Sequence, residues 1–185
     1  MDKEKESAMG TLAAVGAYLM WGLLPIYWKQ LSAVDPFQIL CHRIIWAAVL
    51  TTVLLALRGR LGELVALFRD RRRAGFAAAA SVLITLNWGT YIWAVNMGHV
   101  SESSLGYYIN PLVSVALGAL FFHEAMNSRT KAAVGVAALG VAAASILARS
   151  LPWVSLALAF TFGFYGLVKK KAGLEPLLGL AAETL

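Results

Sequence analysis

Charge is scarce in this chain. Asp, Glu, Lys and Arg make up 14% of its 185 residues, against about 25% in a typical soluble domain. Hydrophobic residues reach 59%, more than one globular core can hide, so membrane is the expected class. Cysteine is scarcer still. Cys41 stands alone, which rules out a disulfide within the chain and leaves the redox compartment open. HExxH, GxSxG, CxxC and the GxxxxGKS or GxxxxGKT loop are missing too. Zinc-protease, serine-hydrolase, dithiol and nucleotide-hydrolysing chemistry therefore have no foothold. No catalytic group, metal or cofactor is expected. The opening "MDKEKES" mixes both charge signs, and no cleavage pattern after it leads into a soluble domain, so it is not expected to act as a signal peptide.

What the chain has in abundance is apolar length. A membrane-crossing helix needs about 20 largely apolar residues. Six stretches qualify: 8–28, 35–57, 74–97, 102–122, 131–148 and 151–168. Short connections join them. Residues 176–185 open a seventh, but ten residues at about 1.5 Å each cannot cross about 30 Å of hydrocarbon. The expected fold is an all-α integral membrane protein, six helices plus the start of a seventh. The expected organisation is a cytoplasmic tail over 1–7, a five-helix unit over 8–148 and the opening of a second unit over 149–185. On this reading the chain is a truncated product or a fragment.

The basic residues orient it. With the N-terminus in the cytoplasm, Lys3, Lys5, six arginines between 58 and 73, Arg129, Lys131 and Lys169–Lys171 lie inside. Lys29, Arg43 and Arg149 lie outside. Such a bias fixes the N-terminus inside. It also absorbs the net charge of +6 that would otherwise invite a nucleic-acid partner. "RDRRR" becomes a topology anchor beside anionic lipid, and no nucleic-acid partner is expected.

A shift of 141 residues lays Trp21-Gly22 on Phe162-Gly163, Lys29 on Lys170 and His42 on Glu183. Five spans separate the copies, and an odd number inverts them. Inverted repeats are a common transporter plan. The complete protein would hold two five-helix halves.

The polar residues inside the apolar stretches are the candidate site, because an unpaired polar group in hydrocarbon costs several kcal/mol. Asn87 and Tyr91 share a helix face, Trp88 lies beside it, and Asn96 lies farther out. Ser103, Tyr107 and Asn110 share a face of the next helix. Two readings are open: the wall of a substrate cavity, or hydrogen-bonded glue between helices. Arg43 attracts an anionic group, pairs with an acid or snorkels outward. His42 is a proton carrier or a bundle hydrogen bond. Glu102 is a first-turn acid behind Ser101 or a proton site, and Glu183 joins the coupling candidates through the repeat. Pro111 removes the N–H that the Tyr107 carbonyl would accept, which predicts a kink. Trp21, Tyr27 and Trp28 suit interfacial anchoring, His99 an exposed loop, and Glu124 an ion pair with Arg129.

These stretches resemble a known family. "YLMWGLLPIYWK", "HRIIW", "NWGTYIWAVNMGHVSESSLGYYINPLVSVALG", "LPWVSLALAFTFGFYGLVKK" and "ETL" are similar to the RarD group of EamA-type permeases, in the drug/metabolite transporter superfamily. The likeness runs from about Gly10 to Leu185. It implies a bacterial inner-membrane permease of ten helices in two inverted halves, with no established substrate; some members carry chloramphenicol sensitivity in their names. The motif positions it carries over are His42-Arg43, Asn87-Trp88, Ser104-Leu105-Gly106-Tyr107, Asn110-Pro111 and Glu183-Thr184. The family's Glu-Arg-Leu after the fourth helix is Glu124-Ala125-Met126 here. The expected function is secondary transport of a small metabolite or drug by alternating access. The rival is a membrane subunit that needs another chain to be complete. The expected partners are the lipid bilayer, an unidentified small solute, and a homodimer mate or complementary second half.

The topology is testable. With Cys41 replaced, Asp70→Cys in intact cells is expected to resist a membrane-impermeant thiol reagent; labelling from outside would overturn the orientation.

Overall fold

The computed structural model describes residues 3–31, 33–123, 125–148 and 152–185. Glu124, Arg149 and the side chain of Trp28 lie outside what is described. The chain divides into two compact units, residues 1–35 and 36–185. The first is one helix, α1 (Lys3–Gln30), so helix already begins within the segment expected as a tail. Its rings interlock along its own surface, with Tyr18 and Trp21 edge to face at 5.8 Å.

The second unit holds seven helices among the described residues: α2 (Pro36–Leu57), α3 (Leu61–Arg69), α4 (Arg71–Asn96), α5 (Val100–Phe122), α6 (Ser128–Ala148), α7 (Trp153–Ala172) and α8 (Pro176–Thr184). Segments in α1, α2, α4 and α5 are long and apolar enough to cross a membrane. Large apolar side chains face outward, from Leu57 at 79% exposed to Tyr108 at 80%. In water such a surface would associate; against lipid it is the expected coat. The chain is an all-α membrane protein.

Local chemistry sets the helix boundaries. Asp70 accepts from the backbone N–H of Arg72 (2.9 Å) and Arg73 (3.2 Å), capping free N–H groups at the start of α4. Glu175 does the same for Leu178 (3.2 Å), with Pro176 at the first helical position, where its missing N–H costs nothing. His123, at φ 55°, ends α5 in the left-handed conformation more often given to glycine. Pro111 sits inside α5, which continues past it to Phe122.

The short α3 was not expected. Nine residues are too few to stand out between flanking arginines. Leu64 and Leu67 hold it against Leu55 of α2, Ala77 of α4 and Leu178, Ala181 and Ala182 of α8. At the start of α3, Arg60 grips Glu63 through two hydrogen bonds of 2.7 and 2.8 Å. This fork holds the Glu63 carboxyl below its usual range and pushes the Arg60 guanidinium above its own.

α7 is the centre of the second unit. It packs most closely against α5 and next against α4, so the two helices expected to face each other meet mainly through a third. Glycine permits the approach. A Cβ on Gly106 of α5 would stand 3.0 Å from the Ser155 carbonyl and 3.1 Å from Leu158 Cβ; one on Gly163 of α7 would stand 2.9 Å from Leu117 and Val113. At Gly106 the obstacle includes backbone, which cannot swing aside. Gly106→Ala is therefore expected to destabilise the protein in detergent by about 1–3 kcal/mol, as overpacking does. Gly166→Ala, with nothing within 4 Å of its Cβ, is expected to be neutral or stabilising by up to about 1 kcal/mol. Equal thermal unfolding of the two variants would contradict the close packing.

Candidate functional site

The structure sorts the intramembrane polar residues into three groups. The first binds helices together. Asn87, 1% exposed, donates its amide hydrogens across to α7, to the Leu158 carbonyl (2.9 Å) and the Thr161 hydroxyl (2.9 Å). Ser155 of α7 donates to the Glu102 carbonyl of α5 at 2.7 Å. Ser103 turns back onto its own helix, donating to the His99 carbonyl at 3.0 Å. These bonds satisfy groups that hydrocarbon cannot.

The second group is ionic and surrounds Glu183, whose side chain is 1% exposed. Lys169 Nζ lies 3.0 Å from Oε1, and the Tyr165 hydroxyl donates to Oε2 at 2.9 Å. The Ser81 hydroxyl donates to the Glu183 backbone carbonyl. Gly179 leaves the space that the ammonium fills: a Cβ there would stand 3.1 Å from Nζ. Of these residues sequence reasoning had only Glu183. Lys169 looked like one more topology charge, although Tyr165-Lys169 and Gly179-Glu183 are both four apart on apolar helices, a spacing that puts each pair on one face.

The third group gathers around Arg43. Its guanidinium lies 4.0 Å above the Trp88 ring. Tyr91 of α4 meets Tyr107 of α5 edge to face at 5.4 Å, and both tyrosines fall within electrostatic reach of Arg43. Neither phenol hydroxyl donates to a described residue. A cation, an indole and two phenols from three helices thus share one place. Such a set can stack on a planar solute, hydrogen-bond it and attract an anionic group.

The remaining candidates stand apart. Asn96, five residues beyond Tyr91, has both amide atoms buried without a partner, as has Oδ1 of Asn110, itself 7% exposed. Asn110 shares the α7-facing stripe of α5 with Ser103 and Gly106, while Tyr107 lies off it. His42 is exposed beside Arg43. Glu102 pairs with the His99 ring at 2.9 Å; His99 in turn stacks on Trp93 at 5.7 Å, and Trp93 meets Trp153 at 5.3 Å. Helix α5 begins at Val100, so Ser101 lies within it and does not cap it. No group of His, Cys, Asp and Glu among the described residues is arranged to hold a metal.

The profile of the EamA-like transporter family matches residues 8–146. Protein RarD of Streptomyces exfoliatus is 46% identical over 185 residues, covering 100% of this chain and 58% of the relative. The uncharacterized transporter YojE of Bacillus subtilis is 44% identical, covering 97% and 61%. Protein RarD of Escherichia coli K12 is 40% identical, covering 98% and 61%. The chain thus spans about three fifths of the length of these curated relatives. No solved structure matches.

The ion pair makes a prediction. Glu183→Gln leaves the Lys169 ammonium without its counter-charge. The expected loss is about 2 kcal/mol, below the roughly 3–5 of a fully buried pair because the Lys169 side chain is 24% exposed. Adding Lys169→Met is expected to recover most of it. Unfolding temperatures in detergent measure both, and a double variant as unstable as the single would contradict the pairing.

Proposed function

The chain belongs to the EamA-like transporter family, and from that premise we propose that it forms part of a secondary transporter moving a small metabolite or drug by alternating access. The observation that carries the reading is the Arg43–Trp88–Tyr91–Tyr107 set. Two hydroxyls with no hydrogen-bond partner among the described residues, on half-buried Tyr91 and on Tyr107 at 38% exposed, stand beside a cation and are open to water or a solute. Asn96 and Asn110 have buried amide atoms that lack such a partner too, and belong in the proposal as further solute contacts or as contacts to additional chain. His42, exposed beside Arg43, and Glu102, paired with a histidine, are the coupling candidates; Glu183 already holds a full set of partners and reads as a structural ion.

Two five-helix halves in inverted order remain the proposed plan. The family match over 8–146 coincides closely with the expected first half, which supports it. Alternating access would rock one half about the other around the site. The basic asymmetry of the loops supports a cytoplasmic N-terminus, and the bacterial relatives support the inner membrane. A gradient of protons or of the solute would drive transport.

Cysteine accessibility tests the site without knowledge of the solute. In a Cys41→Ser background, Tyr107→Cys and Trp88→Cys are expected to react with a small hydrophilic thiol reagent in membranes. Tyr108→Cys, 80% exposed on an apolar helix and on this reading turned to lipid, is expected to stay inert. If Tyr107→Cys is as unreactive as Tyr108→Cys, no watered site exists there and the reading fails.

A further inference from the structure

The cations where α4 begins and α7 ends are not all accounted for by acids. Arg60 is held by Glu63 and lies 3.5 Å from Glu175. Lys169 is held by Glu183. Lys170 lies 4.8 Å above the Phe122 ring. Arg73 is 3.6 Å from Asp70. Arg72 and Lys171 have no ion-pair partner among the described residues. These two come from different helices, yet they line one cleft of about 320 Å³ together with Arg73, Asp70, Phe76 and Ala172.

Three cations and one acid share this cleft. The acid is occupied: one Asp70 oxygen caps α4 through Arg72 and Arg73 N–H, and the other faces Arg73. The remaining positive charges repel each other, and an anion seated between them would relieve the repulsion. The cleft's position says which anion. It opens where α4, a helix long and apolar enough to span, enters the apolar layer. Phe76 and Ala172 line it together with the charged side chains. A phosphate that carries hydrocarbon matches this mixed lining; a free phosphate has no use for Phe76. Arginine suits phosphate through its planar fork of donors, and lysine adds a point charge.

We propose that the cleft between the first turn of α4 and the last turn of α7 is a site for the phosphate of an anionic phospholipid, held by Arg72, Arg73 and Lys171. This goes beyond a diffuse attraction of "RDRRR" to the membrane surface, because it places Lys171, a hundred residues away, in the same site. It is independent of the solute reading. A lipid bridging α4 and α7 would brace the helix pair that Asn87 already joins.

The test uses the 185-residue chain in a neutral detergent, given an equimolar mixture of phosphatidylglycerol and phosphatidylcholine. Native mass spectrometry reads the lipid retained. The chain is expected to prefer phosphatidylglycerol. Arg72→Gln with Lys171→Gln is expected to lower that preference by about fivefold or more, since each cation near the surface contributes about 1 kcal/mol. Arg69→Gln with Arg71→Gln removes the same net charge outside the cleft and is expected to preserve it. Equal loss in both doubles, or no preference in the unaltered chain, would overturn the proposal. Millimolar inorganic phosphate is expected to leave the lipid bound; displacement would assign the cleft to free phosphate instead. A photoreactive phosphatidylglycerol gives a readout on the unaltered chain. Labels on residues 70–76 and 169–172 support the site, and labels elsewhere refute it.

Discussion

The amide of Asn87 gives its hydrogens to α7, and much of the bundle depends on that exchange. Hydrocarbon offers no hydrogen bond, so a buried carboxamide must find its partners in protein. Asn87 finds them on the Leu158 carbonyl and the Thr161 hydroxyl, which fixes α7 beside α4. With α7 there, Gly106 and Gly163 let α5 close on its other flank, and Ser155 fastens the start of α5 through the Glu102 carbonyl. The polar bonds choose the neighbours. Small residues then allow the contact distance that dispersion needs, since lipid and leucine are alike in hydrophobicity and burial alone drives no association.

The same constraint separates glue from the candidate site. Asn87 through its amide nitrogen, Ser155 through its hydroxyl and Glu183 through its carboxylate bond across helices. Tyr91 and Tyr107 meet edge to face and have no partner for their hydroxyls among the described residues, while Arg43 rests on Trp88 beside them. Polar groups kept in a membrane without complete partners are functional candidates by default. The difference lies in bonding, not in residue type. Two residues four apart on α4, Asn87 and Tyr91, fall on opposite sides of it.

Much of the fold was legible in the chain. The apolar stretches foretold α1, α2 and α4 to α8, because length and hydropathy are local properties. α3 escaped because nine residues between arginines carry too little periodicity; its place depends on Leu55, Ala77 and Leu178, which are distant in sequence. The central position of α7 was hidden for the same reason, since Asn87 and Thr161 are 74 residues apart. For the candidate site, position was legible and partnership was not. Asn87, Tyr91, Tyr107 and Arg43 all stood out as polar groups in greasy segments. Which of the amide and the phenols finds a partner among the described residues depends on which helix arrives opposite each. Lys169 was missed as a bonded residue because it sits in a lysine triplet that reads as a boundary marker.

The division itself is measurable. Unfolding free energies of Asn87→Ala and Tyr107→Phe, determined in the same detergent, test it most directly. Asn87→Ala removes two bonds between helices and is predicted to lose about 1–2 kcal/mol, at roughly 0.6 kcal/mol per average membrane hydrogen bond. Tyr107→Phe removes only a hydroxyl that no described residue engages, and is predicted to leave stability unchanged. A loss at Tyr107 equal to that at Asn87 would mean that both residues are glue, and the account would be wrong.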